Sequence, residues 1–193
     1  MSAPAISDAS ARVVRDYLRA KDGQLPLLFS RVFSPHGRFV ATYDFPAPFE
    51  DAGPREGLDA VTELFRKMGE RCENIVTVVP VETARESEST LQTQWVVAMT
   101  TRSGQGGFVG WGTYRWTFES DGQRARELAV RFEGMAPLSV AEAPALLGDF
   151  MDLPHPWCTG AEISEASSSM RSLGPLRMWL DAPMRGAGCS SAA

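Results

Sequence analysis

The side chains of this chain that could do chemistry are those set among apolar neighbours. Tyr17 is one: with Val13, Val14 and Leu18 it recurs at i, i+1, i+4 and i+5, one stripe of a helix. A phenol in a dry pocket donates a hydrogen bond to an oxygen on which negative charge develops; a tyrosine in that stripe also serves as plain core with its hydroxyl satisfied at the rim. Asp44 follows a strand-like run and stands among Tyr43, Phe45 and Phe49. Desolvation there would raise its pKa into the range useful for proton transfer, and the bland alternative is a cap at a strand exit. Arg131 and Glu133 flank Phe132 at period two, so they share a face. They form either a pocket acid/base pair or a salt bridge on the sheet or at a dimer interface. Trp95, Trp111, Tyr114 and Trp116 crowd two neighbouring strands, with Trp111 opposite in facing to Tyr114 and Trp116. Whichever set faces inward lines a pocket for a flat apolar ligand, or packs as core. His155, in "LPHPWC", would help to cap that pocket if the C-terminal segment folds back, whereas Cys158 has no activating base nearby and reads as structural.

Composition removes other chemistries. Three cysteines without a CxxC pair and only two histidines offer no metal-ligand spacing, so no metal is expected. Lys21 and Lys67 are the only lysines, which leaves little room for Schiff-base chemistry. A net charge of −5 argues against nucleic acid, which demands clustered positive charge. No apolar run reaches the roughly 20 residues of a membrane helix, and the start lacks a basic, then apolar, leader; a cytoplasmic location without membrane contact is the expectation. The glycines of "RSGQGGFVGWGTYRWTF" share a spacing with some nucleotide loops. A phosphate cradle needs a helix after them, and Tyr114, Trp116 and Phe118 at period two make a strand instead. No cofactor is therefore expected. Gly110 and Gly112 fall within that strand, where glycine permits a bulge or a close approach.

The elements that must position these residues follow from periodicity. A helix over 8–21 opens the chain, a short one follows over 24–33, and "GRFVATYDF" reads as a strand. Leu58, Val61, Leu64, Phe65 and Met68 make an amphipathic third helix over 55–71. Strand-like runs follow: "NIVTVVPVET", "TLQTQWVVAMTT", "FVGWGTYRWTFES" and "ARELAVRFEGM", the last two joined by the turn signal Ser120-Asp121-Gly122. Three helices and then antiparallel strands predict an α+β fold with helices on one face of a curved sheet. Residues 1–138 form that domain. Residues 139–193 form an extension with a short helix interrupted by Pro144, an apolar group (Leu173, Leu176, Met178, Trp179, Leu180) able to dock, and an end expected to be mobile.

This order of elements resembles the nuclear transport factor 2-like superfamily, in its SnoaL-like and ketosteroid-isomerase-like branch. "VVRDYLRAKDGQLPLLFSRVFSPHGRFVATYDF" is similar to that family's opening, "REGLDAVTELF" to its third helix, and "GWGTYRWTF" and "LAVRFEGM" to its last long strands. The resemblance implies a cone-shaped α+β barrel enclosing an apolar pocket, a hydrophobic small-molecule ligand, and a homodimer through the outer sheet face. It also implies cofactor-independent dehydratase, isomerase or cyclase chemistry, or a binding or dimerisation module without chemistry. Tyr17 falls where the isomerase opening carries its oxyanion tyrosine. Asp44 lies near its general base, two residues out of step, and Glu133 is the other candidate to move a proton.

Overall fold

A computed structural model describes residues 6–46 and 53–182. The Ser7 hydroxyl accepts from the Ser10 backbone N–H and caps α1 (Asp8–Asp22), satisfying one of the first turn's orphan donors. Val13, Val14, Tyr17 and Leu18 are all buried on its inner face. In place of one helix over 24–33, a 3₁₀ turn (Pro26–Leu28) passes into a four-residue α2 (Phe29–Val32), and β1 (Phe33–Tyr43) starts earlier than expected. Pro35 explains the early stop, because the residue before a proline is driven out of the helical region.

After β2 (Arg55–Glu56), Gly57 at φ 84° turns the chain into α3 (Leu58–Arg71), which buries Val61, Phe65 and Gly69. Five strands come next: β3 (Cys72–Pro80), β4 (Arg85–Glu86), β5 (Thr90–Thr101), β6 (Gly107–Phe118) and β7 (Ala125–Leu138). With β8 (Trp157–Cys158) they form an unclosed, curved eight-stranded sheet of order β2-β1-β7-β6-β5-β3-β8, with β4 against β5. The long pairs of β5, β6 and β7 are antiparallel, while β1 runs parallel to β7 and β8 parallel to β3.

Period-two alternation divides β5 and β6 between two cores. Leu91, Trp95, Val97, Met99, Tyr114, Trp116 and Phe118 join the helices α1–α3 inside the curve. Val96, Ala98, Val109 and Trp111 face outward. The β6–β7 ladder slips between Trp111 and Gly112, which pair with Gly134 and Phe132 and leave Glu133 as the extra residue of a bulge. Both glycines are used for close approach. A Cβ on Gly112 would fall 1.8 Å from the Arg131 carbonyl oxygen, and one on Gly134 would fall 2.1 Å from Trp111 Cζ2.

The segment after Leu138 folds back on the outer face. Pro144 does not interrupt α4 (Glu142–Met151), because it occupies the first turn, where no N–H is needed. Thr159 and Glu162 form a reciprocal capping box at the start of α5 (Gly160–Ala166), and α6 (Gly174–Asp181) follows. Leu146, Phe150, Ile163, Leu173 and Leu176 cover Val96, Val109 and Trp111, so this helical layer fills the apolar part of the outer face. Residues 183–193, where a mobile end was expected, lie outside the described residues. Among the described residues no helix is long and apolar enough to cross a membrane.

Candidate functional site

Between α1, α3 and the inner sheet face lies a cavity of about 130 Å³. One edge is a chain of rings. Tyr17 meets Trp116 edge-on at 5.1 Å and Tyr114 at 5.7 Å; Tyr114 stacks on Trp95 at 5.2 Å. Trp95 then meets Phe132 edge-on at 4.9 Å, and Phe132 stacks on Tyr43 at 4.6 Å. Aliphatic and thioether side chains such as Leu64, Met68, Val97 and Met99 complete the walls.

Charge enters from α1. Lys21, only 7% exposed, lines the cavity, and its ammonium is ion-paired with the 11%-exposed Asp22 and donates to Thr77 Oγ1 at 2.7 Å. Asp22 in turn accepts from the Thr77 backbone N–H at 2.8 Å and from its hydroxyl at 3.1 Å. A buried ion pair survives only when its remaining hydrogen-bonding sites are met, and β3 meets those of Asp22 through Thr77. Beside the pair, burial pushes the Tyr17 phenol far above its usual pKa, the negative Asp22 adds to the rise, and a hydrogen bond from Tyr114 partly offsets it. The Tyr114 phenol is raised too, by burial first and then by Tyr17 and Asp22. Both phenols are thus neutral donors near neutral pH. Trp95 also holds a buried indole Nε1–H without a partner.

Of the residues singled out from sequence, the structure brings Tyr17, Trp95 and Tyr114 together in this cavity. Trp116 faces inward but packs behind Tyr17, and Trp111 belongs to the outer core. Asp44 and Arg131 do not reach the cavity: they form an exposed, two-pronged pair at 2.8 to 3.2 Å across β1 and β7. Phe49, invoked to desolvate Asp44, lies outside the described residues. Glu133 shares a face with Arg131 as predicted, but that face is the outer one. There it accepts from Thr113 Oγ1 at 2.6 Å and from Trp179 Nε1 at 3.0 Å. His155 is exposed in the loop before β8, away from the cavity lining.

Lys21, Asp22, Thr77 and Phe132 were missed from sequence. The signal for Lys21 was present: it stands four residues after Tyr17, at the next position of the same stripe. Asp22 stands four after Leu18 in the same way. Among the described residues no group of three His, Cys, Asp or Glu is placed to hold a metal ion.

A model of the SnoaL-like domain matches residues 7–126. No curated protein matches the chain. Among solved structures, a nuclear transport factor 2-like protein of unknown function from Burkholderia pseudomallei superimposes with a TM-score of 0.55 at 17% identity, covering 66% of this chain and 92% of its own. A putative isomerase from Rhodopseudomonas palustris gives 0.55 at 14% identity, over 66% and 91%. A hexachlorocyclohexane dehydrochlorinase gives 0.54 at 13% identity, over 68% and 87%. At such identities the likeness is one of fold, and the fold is the cone-shaped α+β architecture implied by the order of elements.

Proposed function

Because the chain belongs to the SnoaL-like domain family, within the nuclear transport factor 2-like superfamily, we propose that its cavity converts a small hydrophobic molecule by proton transfer, as an isomerase or lyase without a cofactor. One observation carries this reading: adjacent residues of α1, Lys21 and Asp22, are buried as an ion pair at the wall of an apolar hollow, beside two neutral phenols. Tyr17, backed by the hydrogen bond it takes from Tyr114, holds the oxygen of a bound carbonyl-like group and stabilises the charge that grows there. Lys21, held in place by Asp22 and Thr77, is the group set to exchange a proton with the bound molecule. The names of two fold neighbours, a putative isomerase and a dehydrochlorinase, accord with chemistry of this kind.

Solvent-deuterium exchange into the methyl group of acetophenone, followed by proton NMR, tests the reading. The protein is expected to speed exchange over buffer, and Tyr17→Phe to cut that rate by about 10² to 10³, the usual loss of one oxyanion donor. Exchange no faster than buffer would remove proton transfer. A second reading, a binding module without chemistry, draws on a specific observation: no carboxylate lines the cavity among the described residues, since Asp22 is reached only through Lys21 and Thr77. The same experiment separates the two.

A homodimer through the sheet face would meet across the outer residues not under α4–α6. There the surface is polar, with Gln92, Arg115 and Arg131 in place of an apolar patch. Sedimentation of the full chain reads that state directly.

A further inference from the structure

We infer that the molecule this cavity takes is a single-ring aromatic carboxylate. The inference rests on the cavity being the substrate site and adds the class of substrate.

Size comes first. A hollow of about 130 Å³ is close to the cavity of about 150 Å³ known to admit benzene, so one ring fits and a fused polycycle does not. The walls suit a ring. The stacked pair Trp95 and Tyr114 lies at 5.2 Å and 20°, and Phe132 presents its edge to Trp95, the offset and edge-on geometries that aromatic pairs favour.

Charge gives the rest. The charged side chains among the described lining residues are Lys21, Lys67 and Arg71, all cations. Two of them, Lys21 and Arg71, act on Cys72, another lining residue. Burial pushes its thiol up, while Lys21, Arg102 and Arg71 pull it down. Asp22 balances Lys21 from behind and does not line the cavity.

The polar groups facing the hollow are also matched to an acceptor. Lys21 uses two of its three N–H donors, on Asp22 and Thr77. The Tyr17 phenol remains protonated, and Tyr114 gives its own O–H to it. A hydrocarbon guest would leave the third Lys21 N–H and the Tyr17 O–H without an acceptor, at about 1–3 kcal/mol for each one buried. A carboxylate has about four lone-pair sites with which to answer them. The ring supplies the contact area and the carboxylate fixes its orientation.

Calorimetric titration of the full chain with benzoate and with benzamide, a neutral molecule of the same shape, tests this. Benzoate is expected to bind at least about tenfold more tightly, as a charge-assisted hydrogen bond in place of a neutral one implies, and to weaken as salt is raised. Lys67→Gln, at an exposed position on α3, is expected to lower benzoate affinity severalfold and leave benzamide unchanged. Equal affinity for the two molecules, or no binding of either at millimolar concentration, overturns the inference. Acetophenone exchange without a preference for benzoate would overturn the anionic class and leave proton transfer standing. Benzoate preference without exchange would support the class and remove the chemistry.

Discussion

The two faces of β5 and β6 are finished in opposite ways. On the outer face, α4–α6 close the apolar surface, Trp111 lies over Gly134, and the carboxylate of Glu133 is bonded by Thr113 and Trp179. On the inner face, Thr93 Oγ1, Trp95 Nε1 and Trp116 Nε1 are buried without partners, a hollow remains, and an ion pair is buried at its wall. Folded proteins satisfy nearly all buried polar groups, so unsatisfied ones clustered on one face mark where stability has been yielded to something else. The outer layer is closed and its groups are paired, while the inner layer keeps the hollow in which the proposed site lies.

The strongest way to break this contrast is to disturb the inner ion pair. Lys21→Met leaves Asp22 as a buried charge without its cation and is expected to lower unfolding free energy by about 3–5 kcal/mol in urea titration. Pairing it with Asp22→Asn should restore much of that loss. Glu133→Gln, in the outer network, is expected to cost about 1 kcal/mol, the scale of one hydrogen bond. Equal losses at Lys21 and Glu133 would erase the distinction between the faces.

Neighbouring valines give the cleanest control. Val96 is fully buried in the outer core, and Val97 faces the cavity. Val96→Ala removes two methyl groups from solid packing and is expected to cost about 2 kcal/mol, whereas Val97→Ala, already beside space, should cost about half as much. Calorimetric melting of both variants makes the comparison.

Alkaline pH acts mainly on the inner face. The folded-state pKa values of Tyr17 and Tyr114 are raised by burial, so these phenols favour the native state below the ordinary phenol pKa of about 10. That contribution fades as the pH climbs from there towards the raised values. Stability measured against pH should therefore fall above about 10, and Tyr17→Phe should flatten the fall.

The smallest effect distinguishes two thiols. Cys158, in the outer core, is pushed up to about 12 by burial and then by Glu162 and Glu82. Cys72 borders the hollow and is raised by burial against the pull of nearby cations. Iodoacetamide followed by peptide mass spectrometry should label Cys72 ahead of Cys158, and benzoate should slow only Cys72.

How far the sequence discloses this arrangement depends on what a pattern encodes. Alternation in "TLQTQWVVAMTT" and "GWGTYRWTF" separates Trp95, Tyr114 and Trp116 from Val96 and Trp111, and the structure keeps that division. Parity does not say which side is inside, so Arg131 with Glu133 stood open both as a pocket pair and as a salt bridge on the sheet. Lys21 was legible as the next position on the Tyr17 stripe. Its charge argued for solvent, and only the tertiary partners Asp22 and Thr77 make burial tolerable. The outer helices were obscured by their Ser, Gly and Ala content. Their stability comes from docking on Trp111 and Val109 rather than from local propensity.

The account rests on the Lys21–Asp22 pair working together with Tyr17 inside the hollow. Its most direct test is deuterium incorporation at the benzylic carbon of phenylpyruvate, comparing the unaltered protein with Asp22→Asn, each shown by circular dichroism to be folded. The account predicts exchange well above buffer that falls to the buffer rate in the variant. Exchange that survives Asp22→Asn at full rate would contradict it.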